Sequence, residues 1–294
     1  MSAPASARPL VVALYAPADR PERFEKALDA GADAVILDLE DAVAASRKTD
    51  ARAQLGAFAA AWEERPDRPA VQVRVNAPGS PWHADDLAAL AALPAEFGVR
   101  LPKTQSPGDV AAVLAAAPGR TVHALLESAL AVERAFDIAS AGVASIAAGE
   151  ADLRADLGVP AGAAGEPGLL WSRSRIVNAA AAAGLPAPLM AVWADVSDLE
   201  GLERSCRDGR ALGYGGRTAI HPRQVEVICR AFTPDAAEVE RARTIVERVR
   251  TASEAGSGAL VLDDGTFLDI AMVRAAEHVL ALAGEQRSAA TARY

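Results

Sequence analysis

The chain has 294 residues, of which 51% are apolar, 23% charged and 4% aromatic. That length suits two ordinary domains or one α/β barrel of about 250 residues, and the apolar fraction excludes wholesale disorder. Thirty basic against 39 acidic residues leave a net charge of −9, without the basic excess that drives counterion release, so no nucleic acid is expected as a partner.

From the N-terminus, the apolar run at 10–15 is too short for a signal-peptide core and runs straight into Asp19 and Arg20, so a cytoplasmic location is expected. This run predicts a first strand at 10–16, followed by a helix over 21–30 that opens on Pro21. A short apolar run followed by an Ala/Leu-rich amphipathic stretch then recurs. It predicts strands at 34–39, 71–75, 98–101, 122–126, 145–148, 188–192 and 215–220. The helices between and after them fall at 46–64, 82–93, 107–116, 129–141, 170–183, 199–212 and 222–232. Such alternation implies a parallel sheet, and eight strands is the number that closes a (β/α)8 TIM barrel. The stretch 150–168, rich in Gly, Pro and Ala, predicts an elaborated loop on the active face. The uncharged run 176–194 carries Asn178 and is broken by Gly184, Pro186 and Pro188; it reads as helix, turn and strand, and no membrane span is expected. After residue 232 the pattern changes to a charged amphipathic helix at 235–255, a short strand at 259–262, a hairpin-like Asp263-Asp264-Gly265 and a final helix at 271–283. The expected organisation is a catalytic barrel over 1–232 and a helical extension or lid over 233–294.

In a parallel barrel the active site lies at the carboxyl ends of the strands. Those ends carry Asp38, Glu40 and Asp41, then Arg74 and Asn76, Lys103, Glu127, Glu150 with Asp152, and Asp195. Carboxylates predominate, with one or two cations among them. Glu127 and Asp152 offer hard oxygen ligands from neighbouring strands, a donor set suited to Mg2+, with Mn2+ as its substitute, and no His or Cys joins them as a softer metal such as zinc or copper would require. Arg74 presents a rigid fork for a substrate carboxylate. Asp38 and Glu40, two apart, share one face of their strand and would orient Arg74 or metal-bound water; Glu40 joins Arg74 among the catalytic candidates. The competing reading makes all these charges a ring of salt bridges on the barrel rim. Cys206 and Cys229 read as quiet buried thiols, and His221 before Pro222 as a hydrogen-bonding residue. His83, His123 and His278 carry no partner pattern. Gly213, Gly215 and Gly216 lack the Lys-Ser/Thr of a phosphate loop and serve tight packing of the last strand.

Several long motifs in one order carry a further reading. Pro17-Ala18-Asp19-Arg20-Pro21-Glu22-Arg23-Phe24, Leu37-Asp38-Leu39-Glu40-Asp41-Ala42, Val73-Arg74-Val75-Asn76, Leu101-Pro102-Lys103, Leu126-Glu127-Ser128-Ala129, Gly149-Glu150-Ala151-Asp152-Leu153 and Asp264-Gly265-Thr266-Phe267-Leu268-Asp269 resemble the citrate lyase β-subunit-like (CitE-like) branch of the HpcH/HpaI aldolase/citrate lyase family. The resemblance spans nearly the whole chain. It implies a (β/α)8 barrel in a homo-oligomer, commonly a trimer, that uses Mg2+ to break or form a carbon–carbon bond beside a thioester or 2-oxo acid. By position, Arg74 and Glu127 would hold substrate, Glu127 and Asp152 the metal, and Asp269 would be the acid/base group, delivered to an adjacent subunit by the C-terminal segment. The chain departs from the pattern at Ala18, where Gly is usual, at Ser128 for Thr, and at Ala271 for Pro. The implied function is a lyase acting on a malyl-, citramalyl- or hydroxymethylglutaryl-CoA thioester. A hydroxyacyl-CoA thioesterase and a citrate lyase subunit acting on a carrier-bound citryl thioester are its alternatives.

Overall fold

Eight short apolar runs pair side by side in the computed structural model, which describes residues 10–254, 260–261, 267–268 and 270–283. They are β1 (Val12–Pro17), β2 (Ala34–Asp38), β3 (Ala70–Arg74), β4 (Gly98–Leu101), β5 (Val122–Leu126), β6 (Ser145–Ala148), β7 (Leu189–Met190) and β8 (Gly216–Ala219). Every pairing in this sheet is parallel, and the ladder runs β6-β5-β4-β3-β2-β1-β8-β7. Its two ends, β6 and β7, lie against each other, so the sheet curls into a (β/α)8 TIM barrel. Pro186 and Pro188 remove N–H donors just before β7, and the expected strand 188–192 is cut to two residues.

The connecting helices are α1 (Phe24–Leu28), α2 (Lys48–Glu63), α3 (His83–Leu90), α4 (Pro107–Ala116), α5 (Ala129–Glu133), α6 (Ala135–Ala139), α7 (Glu150–Leu157), α8 (Glu166–Ala182), α9 (Leu199–Ala211) and α10 (Pro222–Phe232). Alternate strand residues such as Leu14, Leu37, Val73 and Leu101 share one core with Leu55, Leu90, Val110 and Ile176 of the helices. The few aromatic residues are concentrated there, with Phe24, Phe58, Phe97 and Trp62 in successive edge-to-face contacts. The opposite strand face is partly apolar, with Ala13, Ala34, Ile36 and Leu189 clustered, and partly polar. Arg74, Arg100, His123 and Ser145 follow one another across β3 to β6 in register.

Two expectations are corrected. Helix 129–141 is two short helices meeting at Arg134, which leaves helical geometry at φ −90°, ψ 12°. The expected loop 150–168 contains a full helix, α7, and the start of α8. Residues 150–157 consist mostly of good helix formers, and Gly158 at φ 66° closes α7 in the left-handed conformation that glycine tolerates.

The chain divides into two compact units at residue 232. The described part of the second contains α11 (Ala236–Glu254), α12 (Ile270–Leu282) and an antiparallel pair, β9 (Leu260–Val261) with β10 (Phe267–Leu268). Val239, Ala242, Ile245, Ala276 and Leu280 form its core. The predicted Asp263-Asp264-Gly265 turn and Asp269 lie outside the described residues. Among the described residues no helix is long and apolar enough to cross a membrane.

Candidate active site

The side chains at the carboxyl ends of β2 to β6 meet around two cations. Asp38 ends β2 and is 1% exposed. Its carboxylate accepts the backbone N–H groups of Glu40 at 2.8 Å and Ala42 at 3.1 Å. It also accepts Nε and Nη2 of Arg74 at 2.8 and 2.6 Å. Burial works against the Arg74 charge, but the hydrogen bonds and charge of Asp38 outweigh it and hold the guanidinium above its ordinary pKa. The Arg74 guanidinium also lies 4.8 Å from the Tyr15 ring centroid.

Glu40 follows β2. Lys48 Nζ donates to the carbonyls of both Leu39 and Glu40 at 2.7 Å, which fixes this turn. Glu40 Oε1 accepts Lys103 Nζ at 2.5 Å. Its Oε2 lies 3.1 Å from Arg74 Nη1 yet has no hydrogen-bond partner. Burial pushes the Glu40 carboxyl up to about 7 despite both cations.

Lys103, just beyond β4, has the only positive φ, 50°, among the described non-glycine residues. Such a conformation is uncommon for a side-chain-bearing residue and persists where surrounding contacts determine it. Here they do: its N–H donates to Glu127 Oε2 at 2.8 Å, while Nζ lies 3.5 Å from Asp152 and 3.8 Å from Asp41. Burial opposes the Lys103 charge, and Glu40 more than restores it, so its pKa is raised.

Glu127 follows β5 and is 8% exposed; burial raises its pKa. A Cβ at position 149 would lie 2.2 Å from Glu127 Oε1, so the glycine after β6 leaves room for this carboxylate. Asp152, in the first turn of α7, is half-exposed. Glu127 and Asp152 thus border the same cation and line one cavity with Asp38, Arg74, Arg100 and Tyr15. No group of three or more His, Cys, Asp or Glu forms a metal cage among the described residues. Two hard carboxylates in an open cavity instead fit an ion such as Mg2+, which takes one or two carboxylates and completes its shell with water and substrate.

Arg74, Glu40, Glu127 and Asp152 are therefore brought together, and Lys103, expected only as a strand-end cation, is their hub. Its signal was the Pro102-Lys103 pair directly after a strand. Lys48 had no comparable signal. Glu150 is engaged elsewhere, bidentately with Arg173 at 2.7 and 2.6 Å. Asp195 is taken up by its own turn through Ser197. Asn76 donates to Asp86 and to the Leu39 carbonyl. His221 accepts the Arg223 N–H at the start of α10, as expected of a structural residue. A Cβ on Gly216 would meet the Val11 carbonyl oxygen at 1.9 Å, in keeping with tight packing of the last strand.

Three comparisons place the chain among known proteins. The HpcH/HpaI aldolase/citrate lyase family model matches residues 12–222. A citrate lyase subunit beta-like protein of Mycobacterium tuberculosis is 40% identical, covering 94% of this chain and 96% of the relative. A (3S)-malyl-CoA thioesterase of Cereibacter sphaeroides is 34% identical, covering 87% of this chain and 89% of the relative. The crystal structure of CitE from M. tuberculosis in complex with magnesium, acetoacetate and coenzyme A superposes with a TM-score of 0.77 at 39% identity, covering 94% of this chain and 98% of that one. Barrel, rim motifs and relatives agree: the chain belongs to the HpcH/HpaI aldolase/citrate lyase family, in its citrate lyase β-subunit-like branch.

Proposed function

We propose that this chain is a Mg2+-dependent carbon–carbon lyase acting on a hydroxyacyl-CoA thioester of the malyl, citramalyl or hydroxymethylglutaryl type, in the cytoplasm. The observation that carries this reading is the convergence of Glu127, Asp152, Arg74 and Glu40 around Lys103. Glu127 and Asp152 would hold the ion, with Mn2+ as its substitute, and the M. tuberculosis relative crystallised with magnesium supports that assignment. When bound there, the metal supplies a Lewis acid for the carbonyl oxygen of the 2-oxo acid portion. Arg74 has its Nε–Nη2 edge committed to Asp38 and turns Nη1 to Glu40 and Asp41 at 3.1 and 3.7 Å, so a substrate carboxylate would take the Nη1–Nη2 end in exchange for these two contacts. Lys103 holds Glu40 and Asp152 in place. Glu40, with a pKa near 7 and an Oε2 that faces Arg74 without accepting a hydrogen bond, is suited to hold or release a proton there.

A thioesterase is the second reading, favoured by the similarity to a (3S)-malyl-CoA thioesterase. Incubating the purified protein with Mg2+ and a panel of hydroxyacyl-CoA esters separates the readings. A lyase releases a shorter acyl-CoA together with a 2-oxo acid from a malyl or citramalyl ester, or a 3-oxo acid from a hydroxymethylglutaryl ester. A thioesterase releases free CoA with the hydroxy acid intact, and a carrier-dependent citrate lyase subunit is inert on every CoA ester.

Glu40→Gln is expected to lower turnover without abolishing metal binding and to remove a pH dependence. The Glu40 pKa is raised from 4.5 to about 7 in the folded chain, so the folded state binds the extra proton. Its contribution to stability is complete below about 4.5 and is lost as pH rises through about 7. The metal-free parent should lose more stability in urea melts between pH 5.5 and 8 than the Gln variant does. Equal slopes would show that Glu40 does not titrate there.

Leu130, Phe136, Leu157, Leu170 and Trp171 are exposed on α5 to α8, Trp171 at 58%. Exposed apolar side chains on four helices that contact one another support a homo-oligomer, for which we take a trimer. Trp171→Asp should reduce the mass measured by light scattering; an unchanged oligomer would remove this face from the interface. For Asp269 the resemblance supports an acid/base role supplied to an adjacent subunit. Mixing Glu127→Gln with Asp269→Asn protein should then restore part of the activity that each lacks. Verified hybrids that remain inactive would end that assignment.

A further inference from the structure

Glu127 reaches the rim from directly behind a strand, whereas Asp152 reaches it from a helix. Helix α7 has eight residues, too few to hold its shape in water without support, and it starts at Gly149 with no side-chain cap. Leu153 is its one buried residue, and a single apolar anchor does not fix the rotation of a helix about its axis. Asp156 ties the far end to α5 by accepting the Ala129 N–H at 2.7 Å. The first turn, where Asp152 sits, is held by ions.

Glu150 and Arg154, one turn apart, share one face of α7. Glu166 and Arg173 of α8 meet that face and close a ring with it. Glu150 accepts Arg173 Nε and Nη2 at 2.7 and 2.6 Å. Arg173 Nη1 donates to Glu166 Oε2 at 2.7 Å, and Arg154 Nη2 donates to the other oxygen of Glu166. The charges alternate around the ring and cancel. Burial opposes the Arg173 charge, and the hydrogen bonds and charge of Glu150 more than restore it, so its pKa is raised. Helix α8 is the fixed side of the pair, because Leu169, Ile176, Ala179 and Ala180 anchor it in the core and it packs on β6.

We propose that Arg173 is a positioning residue for the metal site: by clamping Glu150 and Glu166 it sets the rotation of α7 that brings Asp152 to the same place as Glu127, and so sets metal affinity. This inference rests on the reading above in one respect, that Glu127 and Asp152 hold the ion. Asp152 lies two residues from both Glu150 and Arg154, about 200° around the helix. Fastening that face to α8 therefore turns Asp152 the other way, to 3.5 Å from Lys103 Nζ. A rotation by one residue, about 100°, would carry its carboxylate off the site. Arg173 is the ring member that bonds both carboxylates through one planar group, a geometry that fixes direction as well as distance.

Titration of the full-length protein with Mn2+ alone, followed by electron paramagnetic resonance, tests this without turnover. Arg173→Gln should weaken Mn2+ binding about 10- to 100-fold, the order of effect for groups that orient a metal ligand. The sign is diagnostic. Removing a positive charge near a cation site strengthens cation binding by Coulomb attraction alone, so a fall reports lost orientation. Arg173→Lys keeps the charge but cannot span both Glu150 oxygens, and it should weaken binding several-fold. It decides the matter alone if urea melts show that Arg173→Gln does not fold. Phe58→Leu on α2, in the core behind the strands, lowers stability and should leave Mn2+ affinity at the parental value. Affinity that is unchanged or raised in the deciding variant, or that falls equally in Phe58→Leu, overturns the proposal. Asp152→Asn at parental Mn2+ affinity removes the metal assignment and this inference with it. Weakened binding in Asp152→Asn beside parental binding in Arg173→Gln removes this inference alone.

Discussion

Glu127→Gln and Asp152→Asn are each expected to lower kcat/KM by about 1,000-fold or more, the order of effect when a Lewis acid worth several kcal/mol is lost. Both proteins should remain folded, for different reasons. Burial already holds the Glu127 carboxyl above its ordinary pKa, so its ionised form is unfavourable in the metal-free chain. The amide of Gln removes that charge and still accepts the Lys103 N–H that Glu127 accepts at 2.8 Å. The metal-free melting temperature should therefore hold or rise. Asp152 is 47% exposed and lies 3.5 Å from Lys103 Nζ; such a solvated pair contributes about 0–1 kcal/mol. Loss of activity with retained stability is thus the signature of a metal-site defect. Mn2+ titration followed by electron paramagnetic resonance should show weakened binding in both variants. Full activity of the parent in excess chelator would overturn the assignment.

Most of the barrel was legible because its signal is periodic: each buried strand is a short apolar run, and the polar residue that ends it faces the active side. The reading failed where local chemistry interrupts that period. Pro186 and Pro188 shorten β7, and the Gly- and Pro-rich average over 150–168 concealed a helix whose own residues are mostly good formers. That helix also separates Glu150 from Asp152, which both follow the sixth strand in the sequence: two residues apart at about 3.6 residues per turn lie on nearly opposite faces. Asp152 accordingly borders Lys103 while Glu150 pairs with Arg173. Lys103 was visible as a cation, but its role depends on a left-handed backbone and on partners from three other strand ends, neither of which a local pattern encodes.

Arg74→Lys, which keeps the charge, is expected to cost about 100- to 1,000-fold in kcat/KM and to destabilise the fold. In the parent, one planar group satisfies Asp38 through Nε and Nη2, at 2.8 and 2.6 Å, and turns Nη1 to Glu40 and Asp41, where a substrate carboxylate would enter. An ammonium has three donors around one atom and cannot span both positions. If Lys turns to Asp38, the substrate carboxylate loses its fork; if it turns to the cavity, the buried Asp38 keeps only the N–H groups of Glu40 and Ala42. Leaving a buried carboxylate short of donors costs about 1–3 kcal/mol, which a denaturant melt resolves. Glu40 would be affected as well, since Arg74 is the largest influence opposing its burial, and a Lys turned away from it would let its pKa climb above 7. The pH dependence of stability should then extend to higher pH in Arg74→Lys than in the parent. A variant close to the parent in both turnover and melting would mean that charge alone is needed at position 74, and that the planar fork shared between Asp38 and substrate has no part in the reaction.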